Sequence, residues 1–176
     1  MKWKVPLFQS YSDKEDIENI KKIISRGTYW ANGPEIEEFE KKIAKYVGRK
    51  YCVSFNSGTS ALHLVLLANN ITSGEVIVPS FSFISTANSV LLAGAKPIFA
   101  ETEKESYGLD IKSVKEKITK KTKAIIPIHY GGISSRDIKL LKKFAKEKNI
   151  LLIEDAAESL GAVTNNKKVG TFGDAA

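Results

Sequence analysis

The chain has 176 residues, 43% hydrophobic and 27% charged, with a net charge of +7 and a pI near 9.3, the profile of one soluble globular domain or part of one. It contains no apolar run of about 18 residues and no basic-plus-apolar leader, so neither a membrane span nor export is expected and the cytoplasm is the expected location. Nearly all the positive charge is lysine that alternates with acids at helical spacing, as in DIKSVKEKITKKTK, and only Arg26, Arg49 and Arg136 offer a planar fork; this is a solvated helix face, not a nucleic-acid surface.

In chain order, Ser12 and Glu15 have capping-box spacing, and Ile17, Ile20, Ile23 and Ile24 then share one face as far as Gly27, which predicts a helix. The loop GTYWANG follows. Pro34 opens a second helix with Ile36, Phe39, Ile43 and Val47 on one stripe and Gly48 at its end. From there strands and helices alternate: strand KYCVSF, a nearly all-apolar helix over 58–69 expected to be deeply buried, strand EVIVPS, a helix from Ile84 to Leu92, strand KPIFAE, helix DIKSVKEKI, strand AIIPIHY, a helix over 136–147 and strand ILLIED. The order predicts an α/β fold, a mostly parallel sheet with helices on both faces. Short apolar runs on either side of Asn165 and Asn166 predict a β-hairpin.

Ligands of such sheets bind beyond the carboxyl ends of the strands, so the residues just after each strand are the candidates. Gly58, Thr59 and Ser60 of NSGTSA start a helix whose N–H groups and dipole suit an anion. The competing reading makes Ser57 an ordinary N-cap. Phe81 and Phe83 lie in the loop after the second strand; stacking on a planar ring is one role for them, and filling the core is the commoner fate. Asp155 ends an apolar strand, where it either pairs with a ring nitrogen or, with Glu158, caps a helix start. His129 at the same edge reads as structural, and His63 has no assigned role. Two distant histidines and the single Cys52 show no metal-ligand spacing, and Cys52 reads as a small buried hydrophobe.

Taken in order, VPLFQSYSDKEDI, GTYWANGPEIEEFEKKIAKYVG, NSGTSAL, VIVPSFSFISTANSV, TKAIIPIHYGG, LLIEDAAESLGA and VGTFGDAA resemble the DegT/DnrJ/EryC1/StrS sugar aminotransferases, pyridoxal 5'-phosphate enzymes of fold type I. The resemblance runs through the whole chain. It implies that Gly58, Thr59 and Ser60 hold the coenzyme phosphate, that Phe83 stacks on the pyridine, and that Asp155 pairs with the pyridine nitrogen as a catalytic group. Glu158 matches a position near the ring oxygen that the family often fills with Gln or His. Thr28, Tyr29 and Trp30 match the segment near the sugar-nucleotide site, and the family implies a homodimer. The implied reaction moves an amino group, typically from glutamate, onto a keto-sugar nucleotide in polysaccharide or deoxysugar biosynthesis.

In the family the Schiff-base lysine follows the GDAA segment, and this sequence stops at Ala176, so no catalytic lysine is assigned; Lys167 and Lys168 read as exposed charges in the hairpin. Residues 1–176 are accordingly expected to form part of the large, cofactor-binding domain, without its remainder or the small domain, as in a truncated sequence. Two alternatives remain: a dehydratase of the same family, in which histidine replaces the lysine, and a non-catalytic fragment. A nucleotide-binding α/β domain is weaker, since no GxGxxG follows the first strand.

Overall fold

A computed structural model of the protein describes residues 9–176, so Val5 to Phe8 of the VPLFQSYSDKEDI segment lie outside the described residues. The chain forms two compact units, residues 1–39 and 40–176. In the described part of the first unit, α1 (Lys14–Arg26) begins at Asp13, not Ser12. Asp13 Oδ1 accepts from the N–H of Glu15 at 2.8 Å and of Asp16 at 3.2 Å, and Asp16 Oδ2 accepts from Asp13 N–H at 3.0 Å. The capping box therefore exists one residue later than expected, because two aspartates at the same spacing supply charged acceptors. Gly27, at φ 72°, ends the helix in the left-handed conformation.

α2 (Pro34–Val47) begins at the predicted proline. The second unit continues with α3 (Gly58–Ala68), β1 (Glu75–Pro79), α4 (Ser85–Leu92), β2 (Lys96–Ala100), α5 (Ile111–Lys117), β3 (Thr122–Ile125), α6 (Ile138–Lys148), β4 (Leu151–Leu152), β5 (Val163–Thr164) and β6 (Lys167–Lys168). The expected parallel sheet is present, in the order β2-β1-β3-β4. Beyond β4, single bridges join Ile128 to Asp155 and Ile153 to Ala175.

Alternation along each strand divides the core. Ile77, Ile125 and Leu152 face one way, with Val114 of α5 and Leu141 and Phe144 of α6. Val76, Val78, Ala124, Ile126 and Ile153 face the other, with Leu62 and Leu66 of α3 and Val90 of α4. Each fully buried aliphatic contributes about 1.5–3 kcal/mol of transfer free energy. The hairpin forms as expected: β5 and β6 are antiparallel, and Asn165 and Asn166 both take positive φ, 50° and 59°, as a type I′ turn requires. No helix among the described residues is long and apolar enough to cross a membrane.

Cys52, expected to be buried, is half-buried, and two further expectations fail. KYCVSF is not a strand: residues 51–55 carry no strand pairing, and Ser54 N–H and Oγ both bond to Glu40 Oε1, at 2.7 and 2.9 Å. A run with aromatic and β-branched residues has strand composition, but a strand is a pairing and needs a neighbour. The helix α3 is only half buried, with Leu62 and Leu66 inside and Leu64 and Leu67 exposed, since only its sheet-facing side meets the core.

Candidate active site

The cavity beside the carboxyl end of β4 has a volume of about 610 Å³, and its lining includes Gly58, Ala61, Leu62 and Asp155. α3 supplies its anion-favouring end. Ser57 is the N-cap, its Oγ accepting from Ser60 N–H at 3.1 Å, while Ala61 N–H goes to Ser57 carbonyl. The first-turn amides of Gly58 and Thr59 have no hydrogen-bond acceptor among the described residues. The N-cap reading of Ser57 holds. Ser57 is a true cap, Ser60's amide is spent on it, and the two amides before Ser60 are the donors that remain for an anion. Ser60 keeps a hydroxyl, 3.0 Å from Ser57 Oγ.

Asp155 is 5% exposed. Its backbone ties it to the neighbouring strand: Asp155 N–H donates to Pro127 carbonyl at 2.8 Å, and His129 N–H donates to Asp155 carbonyl at 3.0 Å. Its side chain points to the α4 face, where Thr86 Oγ donates to Oδ2 at 2.8 Å, and Oδ1 accepts from Ala157 N–H at 3.3 Å. The helix-cap alternative fails, because no helix follows Asp155 and Glu158 Oε2 instead accepts from Gly131 N–H at 2.7 Å. Glu158 braces the 3₁₀ turn Tyr130–Gly132.

Phe83 is 69% exposed and Phe81 46%, so neither fills the core. Phe81 instead packs against Tyr130, with ring centroids 4.8 Å apart, and against Tyr107 at 5.7 Å. The structure brings Gly58 and Asp155 to one cavity; Thr59, Ser60, Phe83 and Glu158 do not line it. In the first unit, Arg26 holds the 28–30 loop, donating from Nε to Thr28 carbonyl and from Nη2 to Tyr29 carbonyl, each at 3.0 Å, while gripping Glu35. Tyr29 and Trp30 stay exposed.

Sequence reasoning missed Thr86 and Ser82. Thr86 spends its one proton on Asp155, so the 2.6 Å contact with Ser82 is donated by Ser82 Oγ. The only hint in the sequence was two hydroxyl residues four apart after a strand. His129, read as structural, is fully buried, with Nε2 2.9 Å from Glu154 Oε2 and Nδ1 accepting from Ser135 N–H at 3.0 Å. Glu154 was not singled out at all. Burial by itself pushes its carboxyl pKa up, but hydrogen bonds from His129, Gly173 and Gly170 outweigh burial and hold it below the ordinary 4.5.

This geometry has relatives. A GDP-perosamine synthase of Vibrio cholerae is 39% identical over 171 residues, 97% of this chain and 46% of that protein. The crystal structure of 3-amino-5-hydroxybenzoic acid synthase superposes with a TM-score of 0.87 at 30% identity, covering 94% of this chain and 43% of its own. A GDP-4-keto-6-deoxymannose-3-dehydratase, crystallised with a PLP–glutamate adduct, superposes at 0.84 and 30% identity, over 96% and 45%. The chain spans about half the length of these proteins. The DegT/DnrJ/EryC1/StrS aminotransferase family model matches residues 10–176, and with the sheet, the amide-lined helix start and the strand-end aspartate in place, this chain belongs to that family.

Proposed function

We propose that the protein is a pyridoxal-phosphate-dependent aminotransferase acting on a keto-sugar nucleotide with glutamate as donor, as a cytoplasmic homodimer. The observation that carries this reading is that Gly58, at the start of α3, and the buried Asp155 line one cavity. These residues fit the coenzyme: two amides without acceptors suit its phosphate, and an acid suits its ring nitrogen. When bound, pyridoxal phosphate supplies an electron sink for an amino acid losing its α-proton.

The chain's own residues do the rest. The N–H groups of Gly58 and Thr59, with the Ser60 hydroxyl at the same helix start, would hold the phosphate. Asp155, oriented by Thr86, would keep a proton on the ring nitrogen, and the exposed Phe83 is assigned to stacking on the pyridine. Glu158 holds Gly131 N–H through Oε2, and its other oxygen would be the one available to the coenzyme's ring oxygen. The exposed Thr28, Tyr29 and Trp30 are assigned to the nucleotide-sugar.

Replacing Asp155 by Ala in the full-length protein is the test. Coenzyme is partly retained and amino transfer falls by about 10² or more, because an unprotonated ring is a poor sink. Unchanged turnover refutes the assignment. A product that has lost a hydroxyl instead of gaining an amino group moves the protein to the dehydratase reading, which the 0.84 superposition keeps in play.

A further inference from the structure

The strand end that bears Asp155 bears a second carboxylate on its other face. Successive strand residues point oppositely, so while Asp155 meets Thr86, the fully buried Glu154 turns toward His129 and the turn at 170–173. Its Oε1 accepts from Phe172 N–H at 2.7 Å and Gly173 N–H at 2.6 Å. Its Oε2 accepts from Gly170 N–H at 2.9 Å and lies 2.9 Å from His129 Nε2. Because Ser135 N–H occupies Nδ1, the His129 proton sits on Nε2 and points at Glu154.

Arg49 holds the same turn by its carbonyls. Its Nε donates to Gly170 carbonyl at 2.6 Å and its Nη2 to Gly173 carbonyl at 2.7 Å, with Nη2 3.9 Å from Glu154 Oε1. One anion takes the turn's amides and one cation its carbonyls. The backbone of Asp155, bonded to Pro127 and His129, joins this clamp to the cavity.

We propose that Glu154 is a positioning residue for the coenzyme site, fixing the strand end so that the Asp155 carboxylate keeps its bond to Thr86 and its orientation. This deepens the function proposed above and rests on it. A neutral amide cannot replace the carboxylate: Gln offers one acceptor oxygen and two N–H groups, so either the Phe172–Gly173 pair or the Gly170–His129 pair of donors meets a donor.

The test uses the full-length protein, titrated with pyridoxal phosphate, with Glu154→Gln, Glu154→Asp and Arg49→Lys as variants. Amide exchange at Gly170, Phe172 and Gly173 and the pH midpoint of the bound coenzyme's absorbance are read alongside affinity. Glu154→Gln is expected to weaken coenzyme binding tenfold or more, speed exchange at all three amides and shift the midpoint. Glu154→Asp recovers part of each effect, and Arg49→Lys, on a partly exposed side chain, shifts them in the same direction by less. Wild-type protein that takes up no coenzyme overturns the proposed function. Wild-type binding with unchanged affinity and midpoint in Glu154→Gln overturns the positioning role alone. Should Glu154→Gln fail to fold, Arg49→Lys decides, and wild-type values there overturn the role.

Discussion

Thr86 Oγ donates to Asp155 Oδ2 across 2.8 Å, joining residues 69 positions apart in the chain and burying both partners. Thr86→Val keeps the shape and removes the proton. Leaving a buried carboxylate oxygen without its donor costs about 1–3 kcal/mol, and urea unfolding of Thr86→Val against Thr86→Ser measures it. Serine keeps the donor and stays close to wild type. Equal midpoints for valine and wild type would show the bond to be idle.

Phe83 separates function from stability. Its exposed ring has little packing to lose, so Phe83→Ala changes stability by no more than about 0.5 kcal/mol. Coenzyme affinity nevertheless falls, because the stacking surface is gone. Thermal unfolding without coenzyme, paired with a coenzyme titration, gives both numbers; an unmoved affinity rejects the stacking role.

Acid acts through carboxylates held below their ordinary pKa. For Glu154, and for Glu103 with its acceptor contacts to Ser106, Glu105 and Gly108, burial raises the pKa and hydrogen bonds lower it further, leaving each below 4.5. Asp137, buried but paired with Arg136 and bonded to Ile111 N–H, lies below 3.8. A depressed folded-state pKa means the unfolded chain takes up the proton first. Stability is therefore full above about pH 4.5 and is lost as pH falls through the lower, folded values. Denaturant midpoints measured from pH 7 to pH 3 trace that loss, and Glu154→Gln flattens the curve.

Gly173 sits where a side chain has no room. A Cβ there meets the Leu152 carbonyl oxygen at 2.5 Å and the Ala175 carbonyl oxygen at 3.1 Å, both backbone atoms. Gly173→Ala therefore costs about 1–3 kcal/mol through displaced backbone. Gly58→Ala, with nothing within 4 Å, is mild by comparison. Chemical denaturation of both variants tests the contrast, and similar losses would contradict it.

The sequence by itself determined the alternation of strands and helices, the proline and glycine that bound α2, the asparagine turn of the hairpin and the identity of Gly58 and Asp155 as candidates. These depend on local periodicity, on φ preference and on chain order, all of which a linear reading contains. What the sequence read wrongly or left open depended on pairing at long range. Residues 51–55 have the composition of a strand, yet only a neighbouring backbone makes one, and α3 looks wholly buried until one learns that a single face meets the sheet. Asp155 and Glu158 fit a helix cap until Gly131, 27 residues earlier, claims Glu158. Thr86 and Glu154 carried no local signal, because a hydroxyl or a carboxylate acquires its role only from the partner that folding brings within about 3 Å.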